Sequence, residues 1–199
     1  FDYLNIFTMS SLDKLKEQNL KAYLHSLAAK TSTPGGGAVA AVVAAEACSL
    51  VAMVANFSKN ERSKDIARRA HASIADLLEL GDQDALAFES VMKAFRGEGD
   101  RSNACEQAAG IPAQVIGICL THVEDLEYLS AHGNPNLITD TAIASLLFDS
   151  ALKSSELNIL INIKDVDDVP ASLKAAINSV PSATNRLGFI ASAIRTGLS

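Results

Sequence analysis

The feature that most constrains this chain is a run of apolar residues from Ala38 to Ala55, interrupted only by Glu46 and Ser49. It follows directly on three consecutive glycines, Gly35, Gly36 and Gly37. A segment of that length could cross a bilayer. Glu46 in mid-run, alanine in place of leucine and isoleucine, and the lack of flanking Lys/Arg or Trp/Tyr anchors all speak against that reading. A helix that is apolar all round also suits the centre of a bundle, and small side chains let helix backbones approach closely. The rest of the chain agrees: 48% of its 199 residues are apolar, yet only 5% are aromatic and Trp is absent. A core of Ala, Leu, Val and Ile predicts an all-α fold, a single-domain helical bundle.

Periodicity and punctuation divide the chain into helices. Ser11 is an N-cap candidate for a helix reaching about Ala29. The Thr31–Gly37 break then leads into the apolar helix, which runs to about Phe57. Asn60 opens a basic helix to about Leu80, Gly81 punctuates, and Asp82 caps a fourth helix to Phe95. After the Gly97–Asp100 loop, Ser102 opens a long helical pattern to about Ala131, in which Pro112 implies a kink or a split. A helix capped by Thr139 or Asp140 reaches Leu157. Residues 158–163 alternate like a strand but continue that helix without a break. Pro170 and Thr184 introduce two terminal helices.

Composition narrows the function. A net charge of -6 argues against a nucleic-acid partner, which needs clustered Lys and Arg. Cys48, Cys105 and Cys119 are odd in number and lack C-x-x-C spacing, so they read as reduced, mostly buried thiols of a cytoplasmic protein. His25, His71, His122 and His132 form no ligand motif, and each reads as a surface or packed residue; no metal site is expected. Residues 1–9 read as a leader or expression remnant ahead of the helical domain at 10–199, because the first eight precede Met9; they lack the basic and apolar stretches of a secretory signal.

Three segments could carry chemistry. Gly35-Gly36-Gly37 frees the backbone to present N–H groups at a helix start, where an anion is favoured, or serves a tight interhelical turn. Without G-x-x-x-x-G-K-[ST] or a preceding strand it is neither a P-loop nor a dinucleotide-binding turn. Asn134, Asn136, Thr139 and Asp140 gather two amides, a hydroxyl and a carboxylate at one helix start, more than capping requires. Asn158 and Asn162 share a face if their segment is helical, and such amides need partners if buried. Asp84, one turn into its helix, could form an acid/base pair with Asp140. Glu46 is either paired with a cation or exposed at the bundle edge.

These motifs resemble a known family. Pro34-Gly35-Gly36-Gly37-Ala38-Val39-Ala40-Ala41 is similar to its P-G-G-G-S-V-A-A helix start. Gly133-Asn134-Pro135-Asn136 with Thr139-Asp140 is similar to its G-N-P-N-x-x-S-D element. Asn158 to Asn162 resembles its closing N-V-x-I-N-L. This is the cyclodeaminase/cyclohydrolase family, which includes the C-terminal domain of formiminotransferase-cyclodeaminase and stand-alone methenyltetrahydrofolate cyclohydrolases. Ala38 and Thr139 stand where the pattern has serine, and Leu160 where a basic or polar residue is common.

The resemblance implies a helical homodimer acting on a tetrahydrofolate derivative as substrate, with no bound cofactor. It implies hydrolysis of 5,10-methenyltetrahydrofolate to the 10-formyl form, or ring closure of 5-formiminotetrahydrofolate with loss of ammonia. The lean toward hydrolysis rests on the absence of a formiminotransferase domain from this sequence. Asp140 and Asp84 are then the expected catalytic carboxylates. Gly35, Gly36, Gly37, Asn134, Asn136, Thr139, Asn158 and Asn162 are the expected substrate contacts. In another functional class stand a non-catalytic folate binder and a purely structural helical dimer.

Overall fold

A computed structural model describes residues 14–198, and over these the chain is an all-helical bundle without strands. A 3-10 turn at Leu15–Glu17 precedes α1 (Leu20–Ala28), α2 (Gly36–Asn56), α3 (Glu61–Phe95) and α4 (Arg101–His132). A second 3-10 turn at Pro135–Leu137 leads into α5 (Ile138–Ile163), and α6 (Ala171–Gly197) closes the fold. The predicted Ser11 cap lies outside the described residues. What is described corrects that helix, because α1 starts at Leu20 under a cap in which Asn19 accepts from the Ala22 N–H at 2.9 Å.

α2 is the central helix, packed against α3, α4 and α5, and its alanines together with Cys48, Val51 and Val54 are almost wholly buried. Among the described residues it is the helix long and apolar enough to cross a membrane, and 61% of its most apolar window is buried inside the bundle. Around it the largest enclosed side chains are Phe148, Ile66, Leu77, Ile116 and Leu126. Glu46 is exposed at the bundle edge, the second of its two expected positions.

Three predicted breaks are absent. α3 runs through Gly81 without interruption; the glycine faces α2, where a Cβ would make only ordinary contacts, 3.6 Å from Ala41 Cβ and 3.8 Å from Ala38 O. Asp82 caps no helix; it accepts from the Leu15 N–H at 2.5 Å and ties the N-terminal turn to α3. α4 starts at Arg101 under an Asp100 cap and continues through buried Pro112, so no split occurs. α6 likewise contains Pro181, and the two expected terminal helices are one. In both places tertiary packing outweighs one missing N–H donor. Residues 158–163 are helical, the last turn and a half of α5.

Candidate active site

α2 and α5 lie side by side in opposite directions, so each end of the pair gathers residues far apart in sequence. At the α2 start, the Asp84 carboxyl of α3 lies against Gly37 and accepts from the Ala38 N–H at 3.2 Å. A Cβ at Gly37 would collide with that carboxyl, so only glycine lets the group reach the helix start. Asn158 of α5 approaches from the other side: a Cβ at Gly36 would lie 3.6 Å from its Oδ1. Its Nδ2 donates to Ser154 O at 2.9 Å, and Asn162 repeats the pattern one turn on, donating to Asn158 O. Among the described residues the N–H groups of Gly36 and Gly37 have no acceptor, as expected for the first turn of a helix.

The chemistry of this end follows from burial. Withdrawal from water pushes the Asp84 carboxyl up, and the single hydrogen bond from Ala38 only partly opposes it. Such a group can hold or release a proton nearer neutrality than an exposed aspartate. Beside it lie two open backbone donors at a positive helix end and an amide that can accept or orient. Together these are an acid/base with a small oxyanion-binding surface.

The other predicted cluster sits at the opposite end. Asn134 holds the α5 start against the α2 end: its backbone N–H donates to Ser58 Oγ at 3.0 Å and its Nδ2 to Phe57 O at 3.3 Å. Its Oδ1 accepts from the Asn136 N–H at 3.0 Å. Asn134 is therefore the cap of the 3-10 turn, and neither Thr139 nor Asp140 caps α5, which begins with Ile138. The Asn136, Thr139 and Asp140 side chains have no hydrogen bond among the described residues. From Asp140 to Asn158 is eighteen residues of α5, roughly 27 Å at 1.5 Å per residue. Within one chain, then, Asp84 and Asp140 form no pair.

One polar network was missed as a unit. Arg69 Nη2 donates to Asp125 Oδ1 at 2.6 Å, His122 Nδ1 lies 3.0 Å from Asp125 Oδ2, and His122 Nε2 lies 3.0 Å from Ser73 Oγ. Its signal in the sequence is two helical pairs, Arg69/Ser73 at i,i+4 and His122/Asp125 at i,i+3. Nothing in either pair says that α3 and α4 bring them together. The buried thiols are inert by contrast, with burial pushing Cys48 up to about 12 and Cys119 well above the ordinary range.

Fold and site together define an all-α bundle with a carboxyl-and-amide centre at a helix start. Comparison with known proteins gives the particular family. The formiminotransferase-cyclodeaminase family profile matches residues 19–178. The chain belongs to that family. It is 30% identical over 173 residues to formimidoyltransferase-cyclodeaminase of Rattus norvegicus, covering 77% of this chain and 32% of that protein. It is 26% identical over 170 residues to methenyltetrahydrofolate cyclohydrolase of Methylorubrum extorquens, covering 76% of this chain and 82% of that one. The crystal structure of formiminotetrahydrofolate cyclodeaminase from Thermotoga maritima superposes with a TM-score of 0.81 at 31% identity, covering 91% of this chain and 96% of that one. The chain spans about a third of the length of the rat relative.

Proposed function

We propose that this chain hydrolyses 5,10-methenyltetrahydrofolate to 10-formyltetrahydrofolate, with Asp84 as acid/base. The observation that carries this reading is the half-buried Asp84 carboxyl set against the open N–H groups of Gly36 and Gly37, with Asn158 opposite. Asp84 takes a proton from water as its oxygen adds to the cationic carbon between N5 and N10. The same proton passes to N5 as the carbon–N5 bond breaks, and the hydroxyl proton is released to solvent as the formyl C=O forms. The oxygen that gains charge in the tetrahedral intermediate meets the glycine N–H groups. The relative from M. extorquens supports this reading by its name.

A second reading, ring closure of 5-formiminotetrahydrofolate with loss of ammonia, is favoured by the likeness to the T. maritima cyclodeaminase over nearly its whole length. Both reactions pass through a tetrahedral carbon between N5 and N10, and Asp84 would protonate the departing ammonia. Following the near-UV absorbance of methenyltetrahydrofolate and, separately, ammonia release from the formimino substrate assigns the activity. Loss of absorbance above the buffer rate supports the hydrolase. Ammonia release without it supports the second reading. Binding without either makes the chain a folate binder.

The working unit in this proposal is a cytoplasmic homodimer. α5 is covered on every side but one, a stripe at Thr139, Ile143, Leu146, Ser150, Lys153, Leu157 and Leu160, with alternating spacings of four and three. That is the seam of a two-helix contact. Leu146 is 56% and Leu157 67% exposed, which is costly for a free surface. A two-fold axis between Ser150 and Lys153 would set Ile143 against the partner's Leu160 and Leu146 against the partner's Leu157. It would also set Asp140 near the partner's Lys164 and Asp149 near the partner's Lys153. The stripe is thus self-complementary in both apolarity and charge. Such pairing carries Asp140 and Thr139 of one chain toward Asn158 and Asp84 of the other, within a turn or two of helix. The two ends that one chain keeps apart would then form one site.

A further inference from the structure

Between α3 and α4, away from the α2 start, a cavity of about 610 Å³ is lined by Ser73, Gln83, Gln114, Thr121 and the carboxylates Asp76 and Glu79. Ser73 is the outer member of the buried network described above. Burial pushes the Asp125 carboxyl up, but hydrogen bonds from His122 and Arg69 more than reverse this and hold it below the usual carboxylate range. An ionised carboxylate only accepts, so His122 must present Nδ1–H to Asp125. In the neutral imidazole Nε2 then carries the lone pair, and the Ser73 hydroxyl donates to it. The imidazole is wholly buried and stacked on Phe148, with ring centroids 5.8 Å apart and planes 17° apart, so its orientation is fixed. A histidine needing only structural satisfaction could end on any enclosed acceptor or donor. This one ends on a half-buried hydroxyl that opens on a cavity.

We propose that Ser73, His122 and Asp125 form a second reactive site, in which Ser73 is a nucleophile toward small activated carboxylic esters that are neutral or cationic. Its arrangement is that of the serine–histidine–aspartate hydrolases, reached here from two helices. Ser73 Oγ attacks the ester carbonyl carbon while its proton passes to His122 Nε2. Collapse expels the alcohol, which leaves with that proton, and an acyl group remains on Ser73. Water, deprotonated by the same nitrogen, then releases the carboxylic acid and restores the hydroxyl. Asp125 stabilises the imidazolium in both steps. Glu79 on the wall is paired with Lys16, so Asp76 is the carboxylate that disfavours anionic esters. Ser73 is in mid-helix, where backbone N–H groups are already used; Gln83 and Gln114 on the wall each spend one amide N–H, on Glu79 and on Gly110 O, which leaves their second N–H for the oxyanion.

The test uses the whole chain with a fluorophosphonate probe and, separately, 4-nitrophenyl acetate. The expected result is a phosphonyl adduct on Ser73 by peptide mass spectrometry. Ester hydrolysis should fall on the order of a hundredfold in Ser73→Ala, with folate turnover unchanged. An adduct on another residue, no adduct at saturating probe, or equal hydrolysis by Ser73→Ala overturns the proposal. Should Ser73→Ala fail to fold, the site of the adduct on the unaltered chain decides the matter alone.

Discussion

Asp84 is both a structural acceptor for the Ala38 N–H and the proposed proton carrier, and Asp84→Asn separates the two roles. The amide oxygen of Asn can keep the bond to Ala38, while the titrating group is gone. Turnover is expected to fall about a hundredfold or more with the fold retained. The sign of the pH dependence follows from burial. The folded chain holds the Asp84 proton more tightly than the unfolded chain, so this residue's contribution to stability is lost as pH rises through the unfolded and then the folded carboxylate value. Asp84→Asn should therefore be at least as stable as the parent at neutral pH, measured as thermal unfolding across a pH series. Asp125 has the opposite sign: its depressed folded value gives stability that is present above the unfolded value and lost on acidification. The residue types at these sites could be read from the sequence, since Asp84, Asn158 and the glycines all stood out. That Asn134 is consumed in joining two helix ends could not, because its partners Phe57 and Ser58 are more than seventy residues away.

Helix content was legible from periodicity, but helix ends were read too literally from glycine and proline. Gly81 and Pro112 each mark a local cost that packing outweighs, and the second terminal helix expected from Thr184 is likewise a continuation of α6; local sequence does not reveal packing. The same distinction separates three substitutions. Gly188 lies in the middle of α6 with open space around its Cβ position, so Gly188→Ala should raise unfolding stability by about 0.5–1 kcal/mol. Phe148 of α5 is fully buried beneath the His122 ring, and Phe148→Ala should cost about 3–5 kcal/mol in denaturant titration. Gly37→Ala would instead drive the Asp84 carboxyl from the α2 start and diminish turnover, which the same optical assay reads.

In the whole molecule, antiparallel α2 and α5 place one motif group at each end of a bundle, a separation that the linear order of motifs conceals. If the α5 stripe joins two copies, Leu146→Asp with Leu157→Asp should sediment as monomer and lose turnover together. A monomeric parent chain at micromolar concentration would count against the seam. In the proposed dimer the folate site draws Asp84 from one chain and Asp140 from its partner. Its most direct test is methenyltetrahydrofolate hydrolysis by Asp84→Asn and Asp140→Asn chains, each alone and co-expressed. Each alone should be nearly inactive. The mixture should regain roughly a quarter of the parent rate, because half of randomly paired dimers are mixed and each of these holds one intact site. A mixture no more active than its components, or an Asp140→Asn chain that turns over at the parent rate, would contradict it.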